Sequence, residues 1–208
     1  MLYSWVGNML FVFRRFKGAI WQRLSPDQRL MVLQALEKKM AKKQRRPWIN
    51  VVVYPDSEWK SLGMFYAQND EQVLYVNEKL LLNHDLRFFA LETIVHEGRH
   101  AYQYYVINNK KLHFYNFKER AWKNNLRGYI HSGDDATDYN IQAVERDAQA
   151  YTIKFLKSVA YKYRGERAFQ YTLQANQQRH EQSEYDAVKR YGWFYKMKID
   201  KKIGKNKR

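Results

Sequence analysis

His96-Glu97-Gly98-Arg99-His100 places two histidines four residues apart with a glutamate between them. On an α-helix, residues i and i+4 stand one above the other on the same face. Two imidazoles placed in this way can ligate one Zn²⁺ at about 2.0–2.1 Å. Glu97 projects near that face, where a carboxylate can take a proton from a water that the metal activates. The pattern predicts metal-assisted hydrolysis, with His96 and His100 as zinc ligands and Glu97 as general base.

A catalytic zinc site needs a third protein ligand. The chain has no cysteine, which excludes thiolate ligands, disulfides and a Cys nucleophile. His113 lies beyond the break at Asn108-Asn109-Lys110-Lys111 and is too far along to extend the motif to H-E-x-x-H-x-x-G-x-x-H. A carboxylate on a later helix is the remaining source. In Val144-Glu145-Arg146-Asp147-Ala148, Glu145 shares a helical face with Ile141, Ala148 and Thr152. An acid on a small and apolar stripe is costly to bury alone, and a metal would compensate it. Glu145 is therefore the expected third ligand; its alternative is exposure or pairing with Arg146 or a lysine. Asp147, on a different face, is the reserve ligand. Its expected role is to orient a ligand histidine or to tie the two helices together, with a surface salt bridge as the alternative. Hydrolysis of an amide also needs a donor for the oxyanion. Tyr129, His131 and Tyr139 precede the Glu145 helix and are the candidates, Tyr139 being preferred.

These residues need helices and a small sheet to hold them. Ser25-Pro26-Asp27 combines an N-cap, a proline at the first helical position and an acid in the first turn. Leu30, Leu33, Leu36 and Met40 continue with helical period into the basic run 42–46. Residues 48–54, 62–68 and 72–77 read as strands. Helices are expected over 85–107, which carries the motif, then about 118–125, 139–163, and a polar one over 166–191. Trp5, Met9, Phe13, Phe16 and Ile20 recur at helical spacing. They predict an N-terminal amphipathic segment over 1–24 that packs on the domain, with contact to a membrane or a partner as the alternative. The expected organisation is one α+β domain over 1–195 with its core at about 48–163. A basic flexible tail follows at 196–208.

With these elements in order, a helix bearing H-E-x-x-H followed by a helix bearing a third Glu resembles the gluzincin arrangement of zinc peptidases. Glu145-x-Asp147-Ala148-x-x-Tyr151 is similar to a pattern in ImmA/IrrE-type peptidases and in small metallopeptidase domains of mobile elements and toxin systems. His96-Glu97-x-Arg99-His100-Ala101-Tyr102-Gln103 together with Tyr139-x-x-Gln142-x-x-Glu145-x-Asp147-Ala148 resembles the second group more closely. The resemblance spans about residues 48–163. It implies a zincin-like fold, with a small mixed sheet packed against the H-E-x-x-H helix and a second ligand-bearing helix. It implies a zinc peptidase with His96, His100 and Glu145 as ligands, Glu97 as base and a protein or peptide as substrate. It also implies that the strand at 73–77 borders the cleft and pairs with extended substrate. The chain departs from the ImmA/IrrE pattern in its longer stretch between His100 and Glu145 and in having no evident helix-turn-helix.

Lys and Arg number 37 against 21 Asp and Glu, a formal charge of +16. That charge, with Arg45-Arg46 and the lysine-rich tail, supports a different reading: a non-catalytic basic module for nucleic acid or an acidic protein, with a structural metal. The presence of Glu97 argues against it, since a structural site needs no base. A secreted effector or toxin peptidase is the third reading. The N-terminal segment does not follow the pattern of a signal peptide, so the expected compartment is the cytoplasm, with export by a specialised route as the alternative.

Overall fold

The computed structural model describes residues 9–57, 61–68, 71–109, 117–127 and 136–192. Trp5, His113, Tyr129, His131 and the tail at 196–208 lie outside the described residues. The chain begins with two short helices, α1 (Met9–Arg15) and α2 (Gly18–Trp21). The expected amphipathic run is therefore broken at Phe16-Lys17. Val12, Phe13, Phe16 and Trp21 are buried in the main core. The Tyr163 hydroxyl donates to Phe13 O at 2.8 Å and the Arg87 guanidinium to Phe16 O at 3.2 Å, which fix the segment from below.

Helix α3 (Pro26–Gln44) starts as its sequence predicts. Ser25 and Gln28 form a reciprocal capping box, and Pro26 occupies the first turn, where its missing N–H costs nothing. Arg45 ends the helix in the left-handed conformation at φ 55°. Arg46 then turns inward. Its guanidinium meets Glu37 at 2.6 Å and donates to Gly98 O at 3.2 Å. Arg46, grouped by sequence with the basic surface, is instead a buried tie between α3 and the motif helix.

Three strands follow: β1 (Asn50–Tyr54), β2 (Gly63–Gln68) and β3 (Glu71–Asn77). Their order is β1-β3-β2, with β1 parallel and β2 antiparallel to β3. The outer edge of β1 is closed by one side chain: Gln34 Nε2 donates to Ile49 O and Gln34 Oε1 accepts from Val51 N, both at 2.9 Å. An amide here stands in for a neighbouring strand. Trp48 falls outside β1; it is 53% exposed, with Lys38 Nζ 4.1 Å from its ring centroid.

After the short α4 (Lys79–Leu82) and a 3₁₀ turn, α5 (Arg87–Asn108) carries the motif under the sheet. Leu91, Ile94, Val95 and Ala101 are buried along it. Helix α6 (Phe117–Arg127) closes a second small cluster, in which Trp122 packs with Val106 and Val144.

The helix expected over 139–163 is interrupted. It divides into α7 (Ala136–Asn140), α8 (Ala143–Val159) and a 3₁₀ turn. Gln142 is extended at ψ 144°. Asn125 of α6 holds the break: its amide donates to Gln142 Oε1 at 2.8 Å, and its carbonyl accepts from Val144 N at 3.1 Å. The consequence is that Glu145 sits in the first turn of α8 rather than mid-helix. Ala148 lets α8 lie close against α5, and α9 (Arg167–Tyr191) covers both. Phe88, Tyr163 and Phe169 pack as a buried aromatic trio with centroids 4.9–5.2 Å apart. Among the described residues no helix is long and apolar enough to cross a membrane. The architecture is α+β, mostly helical, with a small three-stranded mixed sheet.

Candidate metal centre

Helix α5 supplies His96 and His100, one turn apart, and α8 brings Glu145 onto them from the facing side. Glu145 Oε2 lies 3.2 Å from His96 Nε2, and Glu145 Oε1 lies 3.3 Å from His100 Nε2. The two Nε2 atoms are 3.1 Å apart. Ligands at about 2.0–2.1 Å in tetrahedral array are separated by about 3.3 Å. Each closest contact is near that spacing, and with one ligand atom taken from each residue the three atoms lie within 4.8 Å of one another. His96, His100 and Glu145 form a group that could hold a metal ion. The Glu145 side chain is 0% exposed and each histidine side chain 13%, so solvent reaches the group from the histidine side.

Burial of a lone carboxylate raises its pKa, yet Glu145 is held well below the ordinary range. Burial pushes it up, and the two histidines, His100 foremost, outweigh that. The first turn of α8 adds the positive end of the helix dipole. His100 shows the reverse balance. Burial lowers its pKa, but Glu145 first, then Glu97 and Gln103, raise it to about 9. Without a metal, a proton on His100 balances the buried carboxylate.

Asp147 is not among the grouped ligand atoms. It takes two bonds from Arg99, Nε to Oδ2 at 2.7 Å and Nη2 to Oδ1 at 3.3 Å. It also accepts from Gln103 Nε2 at 3.0 Å, and Gln103 Oε1 faces His100 Nδ1 at 2.9 Å. The Arg99 guanidinium lies 4.6 Å, 4.8 Å and 5.3 Å from the ring centroids of Tyr102, Tyr151 and Trp122. Asp147 is thus a buried tie between α5 and α8 and reaches His100 through one intervening residue.

Glu97 points to the sheet. Its Oε2 accepts the main-chain N–H of Phe65 at 2.8 Å. Strand β2 can come this near because residue 63 is glycine: a Cβ there would lie 2.2 Å from Thr93 Cγ2 and 3.2 Å from Glu97 Cγ. The strand expected to border the cleft, at 73–77, is β3, and it is the central strand with neighbours on both sides. The edge beside the motif helix belongs to β2. Tyr139 lies in α7, half-buried, and its carbonyl accepts from the main-chain N–H of Gln142 at 3.3 Å and its amide at 3.2 Å.

Sequence reasoning named Arg99 and Gln103 only as part of the motif resemblance and gave them no role, and it did not consider Gly63 or Glu92. Gln103 follows His100 by three positions, a helical spacing that could have drawn attention to it. Glu92 precedes His96 by a turn and is buried, with Arg179 of α9 3.6 Å away. Burial pushes its carboxyl up, against the pull of Arg179 and His96. Comparison of the chain with protein-family models, with characterised proteins and with solved structures returns no match.

Proposed function

We propose that this protein is a zinc-dependent peptidase of the gluzincin kind. The observation that carries the reading is the convergence of His96, His100 and Glu145 at 3.1–3.3 Å from one another, with Glu97 on the same helix. Two imidazoles and one carboxylate are the ligand set of catalytic zinc sites that leave a position open. When bound, such an ion supplies Lewis-acid activation of a water and of the substrate carbonyl. Glu97 is the group that accepts the water's proton and delivers it to the leaving amine. Its tie to Phe65 N keeps the carboxylate beside both the ligand helix and the sheet edge. Tyr139 remains the proposed oxyanion donor.

The proposed substrate is a peptide in extended form. Asn77 N donates to Leu62 O, so Leu62, Met64 and Tyr66 turn their main-chain groups to β3, whereas Gly63, Phe65 and Ala67 turn theirs outward. Glu97 holds Phe65 N and Ser61 Oγ holds Gly63 O, so a peptide laid along β2 would meet the outward carbonyl of Phe65 and the main chain of Ala67, beside Glu97. Metal analysis of purified protein, with cleavage of a mixed peptide library read by mass spectrometry, tests this reading. About one zinc per chain and chelator-sensitive cleavage are expected; carefully handled protein without zinc or cleavage would refute it.

A further inference from the structure

Gln103 is 1% exposed, at the contact of α5 and α8. Its Nε2 lies 2.9 Å from Val144 O and 3.0 Å from Asp147 Oδ2, and its Oε1 lies 2.9 Å from His100 Nδ1. The orientation of a side-chain amide is settled by its partners. Val144 O is a carbonyl and can only accept. Asp147 is paired through both oxygens with Arg99, so it too accepts. The NH₂ end of Gln103 must face these two, which leaves its oxygen, an acceptor only, toward His100. His100 Nδ1 must then carry a proton. The ring nitrogen left to hold a metal is Nε2, the atom that already faces Glu145 and His96.

We propose that Gln103 is a positioning residue of the metal centre, which fixes the tautomer and ring plane of His100 so that Nε2 is the ligand atom. The information originates in two acceptors on α8 and passes through a single amide to the ligand on α5. Asp147 is held in its accepting orientation by Arg99, whose guanidinium is packed among Tyr102, Tyr151 and Trp122. Val144 O and Asp147 satisfy only the NH₂ of Gln103, and its buried carbonyl oxygen takes its donor from the His100 ring. That third bond, to the ligand ring, is what a positioning role requires. The inference rests on the metal-site reading and deepens it.

The test is zinc competition titration of the parent, Gln103→Met and Asp147→Asn, with ¹⁵N NMR of the histidine ring nitrogens in zinc-loaded parent. The NMR is expected to show His100 protonated at Nδ1 and bound through Nε2. Gln103→Met keeps the volume and removes the acceptor, and its zinc affinity should fall about 10–100-fold. Asp147→Asn lets the Gln103 amide turn over, because asparagine can donate as well as accept, and should give a smaller fall. His100 bound through Nδ1 overturns the inference, as does a folded Gln103→Met with affinity within about two-fold of the parent. If Gln103→Met fails to fold, the ring nitrogens of the parent and the affinity of Asp147→Asn decide. A parent that takes up no zinc removes the metal reading itself; a parent that binds zinc with an unaffected Gln103→Met removes this inference alone.

Discussion

The main-chain N–H of Phe65 donates to Oε2 of Glu97 across 2.8 Å, which joins an edge strand to the helix of His96 and His100. That N–H is free for a side chain because alternate residues of β2 turn away from β3. The Phe65 ring also packs edge-on to Tyr104, one turn beyond His100, with centroids 5.7 Å apart. The strand is thereby docked on α5 at either side of the two histidines, and at Gly63 it leaves no room for a Cβ beside Thr93.

Gly63→Ala tests that docking. The added Cβ would meet Thr93 Cγ2 at 2.2 Å, Glu97 Cγ at 3.2 Å and Tyr75 O at 3.2 Å. The methyl of Thr93 is short and cannot swing clear, so β2 must move. Overpacking of this kind costs about 1–3 kcal/mol, a fall in Tm of roughly 2–10 °C for a chain of this size. The Phe65–Glu97 bond should lengthen, and peptide cleavage should drop with it. Thr93→Ser removes the clashing methyl and should restore part of both losses. A Gly63→Ala protein as stable as the parent would show that the strand is not held where its geometry places it.

Glu97→Gln separates binding from chemistry. The amide oxygen can still accept from Phe65 N, so the strand stays docked, and the ligand atoms are untouched. An amide cannot take the water's proton, and a general base is worth about 10²–10⁴-fold in rate. Zinc content should equal the parent's while cleavage falls by that factor. Unchanged, chelator-sensitive turnover in this variant would remove Glu97 from the proton path.

How much of this was legible in the sequence follows from what local pattern can encode. The strands and helices were, because their signals are local: the capping residues around Ser25-Pro26, the β-branched run before Pro55 and the helical period through Ile94 and Val95. The spacing of His96 and His100 is also local, since i and i+4 meet on any helix. The break before α8 was not legible. It is held by Asn125, and no pattern within 139–163 records a partner that arrives from α6. The inward turn of Arg46 was hidden in the same way, because its acceptors, Glu37 and Gly98 O, lie on two other turns of chain. Which strand forms the open edge depends on the order of pairing, and the order β1-β3-β2 leaves the chain sequence behind.

Glu145→Ala and Asp147→Ala should differ in kind. On the proposed reading Glu145 supplies a ligand atom, so its loss would leave two histidines, too few for a catalytic zinc site. Zinc should no longer co-purify. Asp147 contributes through Gln103 and Arg99, and its loss should weaken zinc by about 10–100-fold while leaving a measurable site. Asp147→Ala should also destabilise the fold, because it leaves the Arg99 guanidinium among rings with its carboxylate gone. Zinc titration paired with thermal melts separates the two effects. Equal zinc affinity for parent and Glu145→Ala would exclude Glu145 as a ligand.

The metal-free protein should lose stability as the solution turns alkaline. The pKa of His100 is raised to about 9 from an ordinary 6.5; burial opposes the rise and Glu145 drives it. A raised folded pKa means that the proton stabilises the fold. That stability is fully present below pH 6.5 and is lost as pH climbs through 9. Glu145 bounds the other side, because its pKa is depressed by His100 and His96 against the effect of burial. Its contribution is present above the ordinary carboxylate range and disappears only as the solution becomes strongly acidic. The metal-free protein should therefore show a Tm that declines between pH 6.5 and pH 9. Zinc takes the proton's place on His100, so the zinc-loaded protein should lack that decline. The same exchange predicts that zinc binding at pH 7.5 expels about one proton from His100. Calorimetric titration in buffers of different ionisation enthalpy counts it. A proton count near zero, together with a metal-free Tm that is flat from pH 6.5 to 9, would mean that His100 is neutral beside Glu145 and that the buried carboxylate is balanced by some other group.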